Sequence, residues 1–95
     1  MRIRFLSRAS NELAAAIDFY EQQRIGLGNE LITELDHTLE VISQFPNAWP
    51  KFGTNLRRAL LRRFPYGVLY RQSETEITVA AVMDLRQDPD DYPEA

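Results

Sequence analysis

Cysteine is absent from this chain of 95 residues, which excludes disulfides, a thiolate metal site and a thiol nucleophile, and fits a reducing compartment. Histidine occurs once, at His37, so neither a catalytic triad nor a zinc site can be assembled around imidazole. No stretch approaches the roughly 18 apolar residues of a membrane span, and Met1-Arg2-Ile3-Arg4-Phe5-Leu6 lacks the apolar run of a secretory leader. The expectation is a cytoplasmic protein without membrane association. Glycine is scarce, and Gly26-Leu27-Gly28 is too short for a phosphate-cradling loop and lies between helical segments rather than after a strand. The adjacent acids Asp90 and Asp91 have no further ligand spacing around them, so neither a metal nor a cofactor is expected.

What is present is a real though small core: 44% of the residues are apolar and 26% charged, too apolar for a disordered chain. The length fits a single domain spanning residues 1–95. The net charge of −3 hides a strong segregation. Residues 1–50 carry −3, residues 74–95 carry −6, and residues 51–73 carry +6, with Lys51, Arg57, Arg58, Arg62, Arg63 and Arg71 and no acid at all. Such a block makes a local field able to bind phosphate or carboxylate. An equal alternative is that Asp84, Asp88, Asp90, Asp91 and Glu94 neutralise it within the fold.

Period-two alternation in Arg2-Ile3-Arg4-Phe5 predicts a half-buried strand with Ile3 and Phe5 inward. Ser7 or Ser10 can cap a helix over roughly 8–24, with Leu13, Ala16, Ile17 and Tyr20 on one face. After the two-glycine turn, Leu31, Leu35, Leu39 and Ile42 mark a second helix that Phe45-Pro46 closes. Trp49 and Phe52 sit in a loop and are expected to fold back on the core. Three strand-forming runs follow, 56–64, 66–72 and 76–84, the last buried on both sides near its middle. The order is β-α-α-β-β-β, an α+β fold in which the hairpin-linked strands form an antiparallel sheet and two helices cover one face. The other face is expected to be partly open, beneath Arg2, Arg4 and some of the arginines from 57 to 71. In a strand over 56–64, alternation sends Arg58 and Arg62 to one face and Arg57 and Arg63 to the other. Ion pairs between these arginines and the helix-two acids Glu34 or Glu40 stand level with a binding role.

Along nearly its whole length the chain resembles toxins of the RelE/ParE superfamily from bacterial type II toxin-antitoxin pairs. The resemblance rests on Phe19-Tyr20-Glu21, on Gly26-Leu27-Gly28 with Glu30 and Glu34, and on Phe45-Pro46 through Trp49-Pro50. It continues in Arg57-Arg58, in Arg63-Phe64-Pro65-Tyr66-Gly67-Val68-Leu69-Tyr70, and in Ile77 to Met83 leading into Arg86 and Asp88-Pro89. It implies a cytoplasmic growth inhibitor silenced by a cognate antitoxin protein in a toxin-antitoxin hetero-oligomer. ParE-like members bind DNA gyrase and poison it; RelE-like members cut messenger RNA on the ribosome without metal.

Metal-free RNA cleavage requires a base for the 2′-hydroxyl, cations for the phosphorane and an acid for the leaving oxygen. For a RelE-like enzyme those groups are Arg58, Arg62, Arg86 and Tyr92. Against it, Tyr92 is surrounded by Asp88, Asp90, Asp91 and Glu94, which repel phosphate, and Asp84 stands where many relatives carry histidine. The sequence pI of about 5.1 and the Gly-Leu-Gly and Phe-Pro-Tyr turns favour the ParE-like branch. For either branch the residues expected to meet antitoxin or target are Arg2, Arg4, Arg57, Arg58, Arg62, Arg63, Arg71 and Arg86. A degenerate member that only binds antitoxin is the remaining alternative.

Overall fold

The computed structural model describes residues 1–87. Strand β1 (Arg2–Phe5) leads into helices α1 (Ser7–Gln23) and α2 (Leu27–Gln44), followed by strands β2 (Lys51–Phe52), β3 (Leu56–Leu60), β4 (Tyr66–Gln72) and β5 (Glu76–Asp84). The five strands form one sheet in the order β1-β5-β4-β3-β2. The hairpin-linked strands pair antiparallel, as the short turns require. β1 instead joins β5 in parallel, Ile3 opposite Ile77 and Phe5 opposite Val79, so the sheet is mixed. The two-residue β2, which pairs Lys51 with Arg57, forms in the segment expected to be loop.

Local chemistry sets the boundaries. No serine caps α1; Leu6 precedes it in extended conformation without a side-chain hydrogen bond. Capping falls to the helical hairpin itself. Gly26 occupies a left-handed conformation at φ 92°, open to glycine at little cost, and the Glu21 carboxylate accepts the N–H groups of Gly26 at 3.0 Å and of Gly28 at 3.0 Å. Two of the orphan donors at the start of α2 are thereby satisfied from α1. Gly28 is also where the helices meet: an added Cβ would stand 3.1 Å from Ile17 Cγ2 and 3.2 Å from the Ile17 carbonyl oxygen.

The main core lies between the helical hairpin and one sheet face. Leu31, Leu35, Leu39 and Ile42 of α2 and Ala9, Ala16 and Tyr20 of α1 pack with Val68, Tyr70, Ile77, Val79 and Val82. Trp49 folds back onto this cluster, and Phe52 onto a second, as expected. Tyr70 is fully buried, and its hydroxyl donates to the Pro46 carbonyl at 2.6 Å, fastening the end of α2 to β4. The second cluster, on the reverse face, joins Leu56, Leu69, Ala80, Ala81 and Met83. Ala80 is the extra residue of a register shift: Leu69 pairs with Ala81 but Tyr70 with Val79. Strand β5 lies inside the sheet, between β1 and β4, and is buried from Ile77 to Met83, on both sides near its middle as expected.

Candidate functional site

The cationic segment does not lie on a single face. β3 ends at Leu60, so Arg62 and Arg63 lie in the turn before β4, where strand alternation no longer applies. That turn is bound to α2. One Glu34 carboxylate oxygen accepts the backbone N–H groups of Arg62 at 2.6 Å and Arg63 at 2.9 Å, and the Arg63 guanidinium donates to Glu30 at 2.6 Å. Arg24, at the end of α1, reaches the other Glu30 oxygen at 3.0 Å. Hydrogen bonds from Arg63 and then Arg24 hold the Glu30 carboxyl below its ordinary range. Beside them an open groove of about 750 Å³ is lined by Thr33, Glu34, His37, Arg62 and Arg63. His37 is solvent-exposed, as its offset from the leucine stripe predicts. Among the described residues, the Arg62 guanidinium makes no hydrogen bond or ion pair and faces this groove.

Arg86, just past β5, is held in a different way. Asp84 accepts its backbone N–H at 2.9 Å, its Nε at 3.0 Å and its Nη2 at 3.0 Å. The guanidinium carbon lies 5.7 Å from the Phe19 ring centre and 5.9 Å from that of Tyr66, within cation–π range. The hydrogen bonds to Arg86 lower the Asp84 pKa and raise that of Arg86 further above its usual value. Desolvation, reinforced by the Asp84 charge, pushes the Tyr66 hydroxyl up. The adjoining recess, about 330 Å³, also contains Glu12, which accepts the Val82 N–H at 2.9 Å. A recess with two carboxylates beside one occupied guanidinium is poorly disposed toward phosphate.

The reverse face is not the open arginine surface that counting helices suggests. Its centre is the apolar strip Leu69, Ala81 and Met83, and Arg58 lies along it. The Arg58 stem crosses β4 where Gly67 has no side chain; a Cβ there would be 3.1 Å from Arg58 Cγ. Its guanidinium ends 3.9 Å from Met83 Sδ and 5.3 Å from the Phe52 ring centre. Arg2 and Arg4, at the β1 edge, share Glu76 at 3.7 and 3.3 Å. Arg57 points to the helix side and donates to the Trp49 carbonyl at 2.6 Å, while Arg71 is exposed at the far end of β4.

Of the four groups expected for RNA cleavage, the fold does not bring Arg58 and Arg62 together: one lies on the apolar strip of the reverse face, the other beside α2. Arg86 is engaged by Asp84, and Tyr92 lies outside the described residues. The acidic tail from Asp88 onward lies outside them too, while Asp84 pairs with Arg86. The helix-two acids do meet the arginines, though through Glu30 and through backbone donors to Glu34. Glu12 and Glu21 escaped sequence reasoning, and Glu34 was expected to meet guanidinium groups, because all three bind main-chain N–H groups, which leave no trace in side-chain patterns. The one available signal was the i,i+4 placement of Glu30 and Glu34 on a single face of α2. Among the described residues no group of three or more His, Asp or Glu side chains is placed to hold a metal, and no helix is long and apolar enough to cross a membrane.

A family model described as the ParE toxin of the type II toxin-antitoxin system parDE matches residues 3–89. No curated protein matches significantly. Among solved structures, a chain of the chromosomal ParDE toxin-antitoxin system from P. aeruginosa is similar in fold at 18% identity and a TM-score of 0.77, over 90% of this chain and 96% of that one.

Proposed function

We propose, for a chain that belongs to the ParE toxin family of type II toxin-antitoxin systems, that it arrests growth as a non-enzymatic inhibitor of DNA gyrase in the cytoplasm. A cognate antitoxin neutralises it in a hetero-oligomer, docking over the helical hairpin and the sheet. The whole described chain acts as one toxin domain.

The observation that carries the choice of a binder over a ribonuclease is the engagement of Arg86. A cation that stabilises a phosphorane must present unsatisfied donors to the developing charge. Arg86 spends its Nε and Nη2 on Asp84, and the other expected cations open onto different surfaces. Binding makes no such demand. Exposed Arg62, with Arg63 braced on Glu30, is suited to recognising carboxylates across an interface. Purified toxin should accumulate gyrase-linked cleaved DNA or block supercoiling, and it should leave transcripts intact in an in vitro translation reaction. Ribosome-dependent transcript cuts abolished by Arg86→Ala would overturn the reading. Absence of growth arrest on expressing the chain alone would reduce it to an antitoxin-binding remnant.

A further inference from the structure

At the end of the sheet remote from Arg86, where β4 finishes and β2 turns into β3, lies a recess of about 230 Å³. Its walls include Lys51, Arg57, Arg71, Asn47, Asn55 and Gln72, and no carboxylate lines it. Elsewhere on the described surface, Arg2, Arg4, Arg8, Arg24, Arg63 and Arg86 each have a carboxylate within 3.7 Å. In this corner Lys51, Arg57 and Arg71 line one recess at the end of the sheet, and among the described residues none of the three has an acidic partner, a lack they share with Arg58 on the reverse face and Arg62 beside α2.

Part of the recess is already ordered. Arg57 is half-buried, and its Nη1 is fixed on the Trp49 carbonyl at 2.6 Å, which leaves four of the five guanidinium donors for another acceptor. Gln72 Nε2 donates to Asn47 Oδ1 at 3.1 Å, which turns the Asn47 amide so that its own N–H donors remain available. Lys51 stands directly across from Arg57 in the β2–β3 pair. Charge and donor number together select the ligand. One carboxylate brings a single charge and two oxygens, too few for three cations with several flanking amide donors, whereas a phosphate group brings more acceptors in a tetrahedral array.

We propose that this recess is an anion site that takes a phosphate group. It needs neither gyrase nor antitoxin, so it can be tested on the chain alone. The phosphate could belong to a small phosphorylated molecule or to a nucleic-acid strand. Isothermal titration of the full chain at low salt with pyrophosphate, a short DNA duplex and a glutamate-rich peptide of matched charge separates these sources. Binding of pyrophosphate, with or without the duplex, assigns the site to small phosphates; binding of the duplex alone assigns it to a strand. In either case Lys51→Ala and Arg71→Ala each weaken binding about tenfold, and for the duplex each reduces the salt slope by about one. The control Arg24→Ala, an exposed cation on the helical hairpin, leaves binding within twofold. Lys51 and Arg71 are exposed, so both variants fold, which their unchanged thermal midpoints verify. Failure of both phosphate ligands to bind, equal affinity for the peptide, or equal loss in Arg24→Ala would overturn the proposal.

Discussion

Replacing Tyr70 by phenylalanine tests the internal fastening of this fold with a single oxygen atom. The ring is fully buried between α2 and the sheet, so Tyr70→Phe preserves nearly all the apolar contact and deletes only the 2.6 Å hydrogen bond to the Pro46 carbonyl. A neutral hydrogen bond of this kind contributes a net of about 1 kcal/mol. Pro46 is only half-buried, so its carbonyl can recruit water and no larger penalty is expected. For a chain of this length about 1 kcal/mol lowers the thermal midpoint by about 4–8 °C. The pH dependence supplies a second readout. Burial raises the Tyr70 pKa in the folded state, so above its ordinary 10.0 the unfolded chain releases a proton that the folded chain retains. This contribution is complete below pH 10 and is lost as pH rises through the folded value. The parent should lose stability on the alkaline side more steeply than Tyr70→Phe, with Tyr66 supplying the remaining slope. Calorimetry from neutral to alkaline pH measures both effects. A midpoint change under 1 °C together with an unchanged alkaline slope would refute the reasoning.

Leu31→Ala, at a site 1% exposed in the main core, should cost about 2–5 kcal/mol in denaturant unfolding. Gly28→Val should cost about 1–3 kcal/mol, because its side chain must displace Ile17 or the Glu21 carboxylate; the loss should exceed that of Gly28→Ala in the same assay. For Asp84, hydrogen bonds to Arg86 depress the folded pKa below the ordinary 3.8. Its stabilising effect is therefore present above that value and lost as pH falls through the folded pKa. Asp84→Asn should accordingly show a flatter acid limb in thermal melts between about pH 5 and pH 2.

The helices and the two long strands were legible because their patterns are strong. The Leu31, Leu35, Leu39, Ile42 stripe and the β-rich run from Ile77 to Met83, broken only by Thr78, leave no competing period. The strand over 56–64 ends early, at Leu60, because the Glu34 carboxylate draws the N–H groups of Arg62 and Arg63 out of the sheet. That interaction joins residues far apart in sequence and escapes any local window. The parallel placement of β1 was hidden for the same reason, since alternation reveals a strand's faces but not its neighbour. The arginine block was visible as charge, whereas its division among a groove, an apolar strip and a recess at the end of the sheet depends on where each strand stops. Counting acids could not show that Asp84 is committed to Arg86.

The strand synthesised last among the five enters the interior of the sheet, between β4 and β1, and the first waits to lie beside it. Until β5 has left the ribosome, Ile3 and Phe5 have no partner backbone, and the hairpin of helices has only part of a platform to rest on. The sheet is completed only once residues 76–84 have been made, so a chain cut short before them lacks the strand that both β1 and β4 pair with.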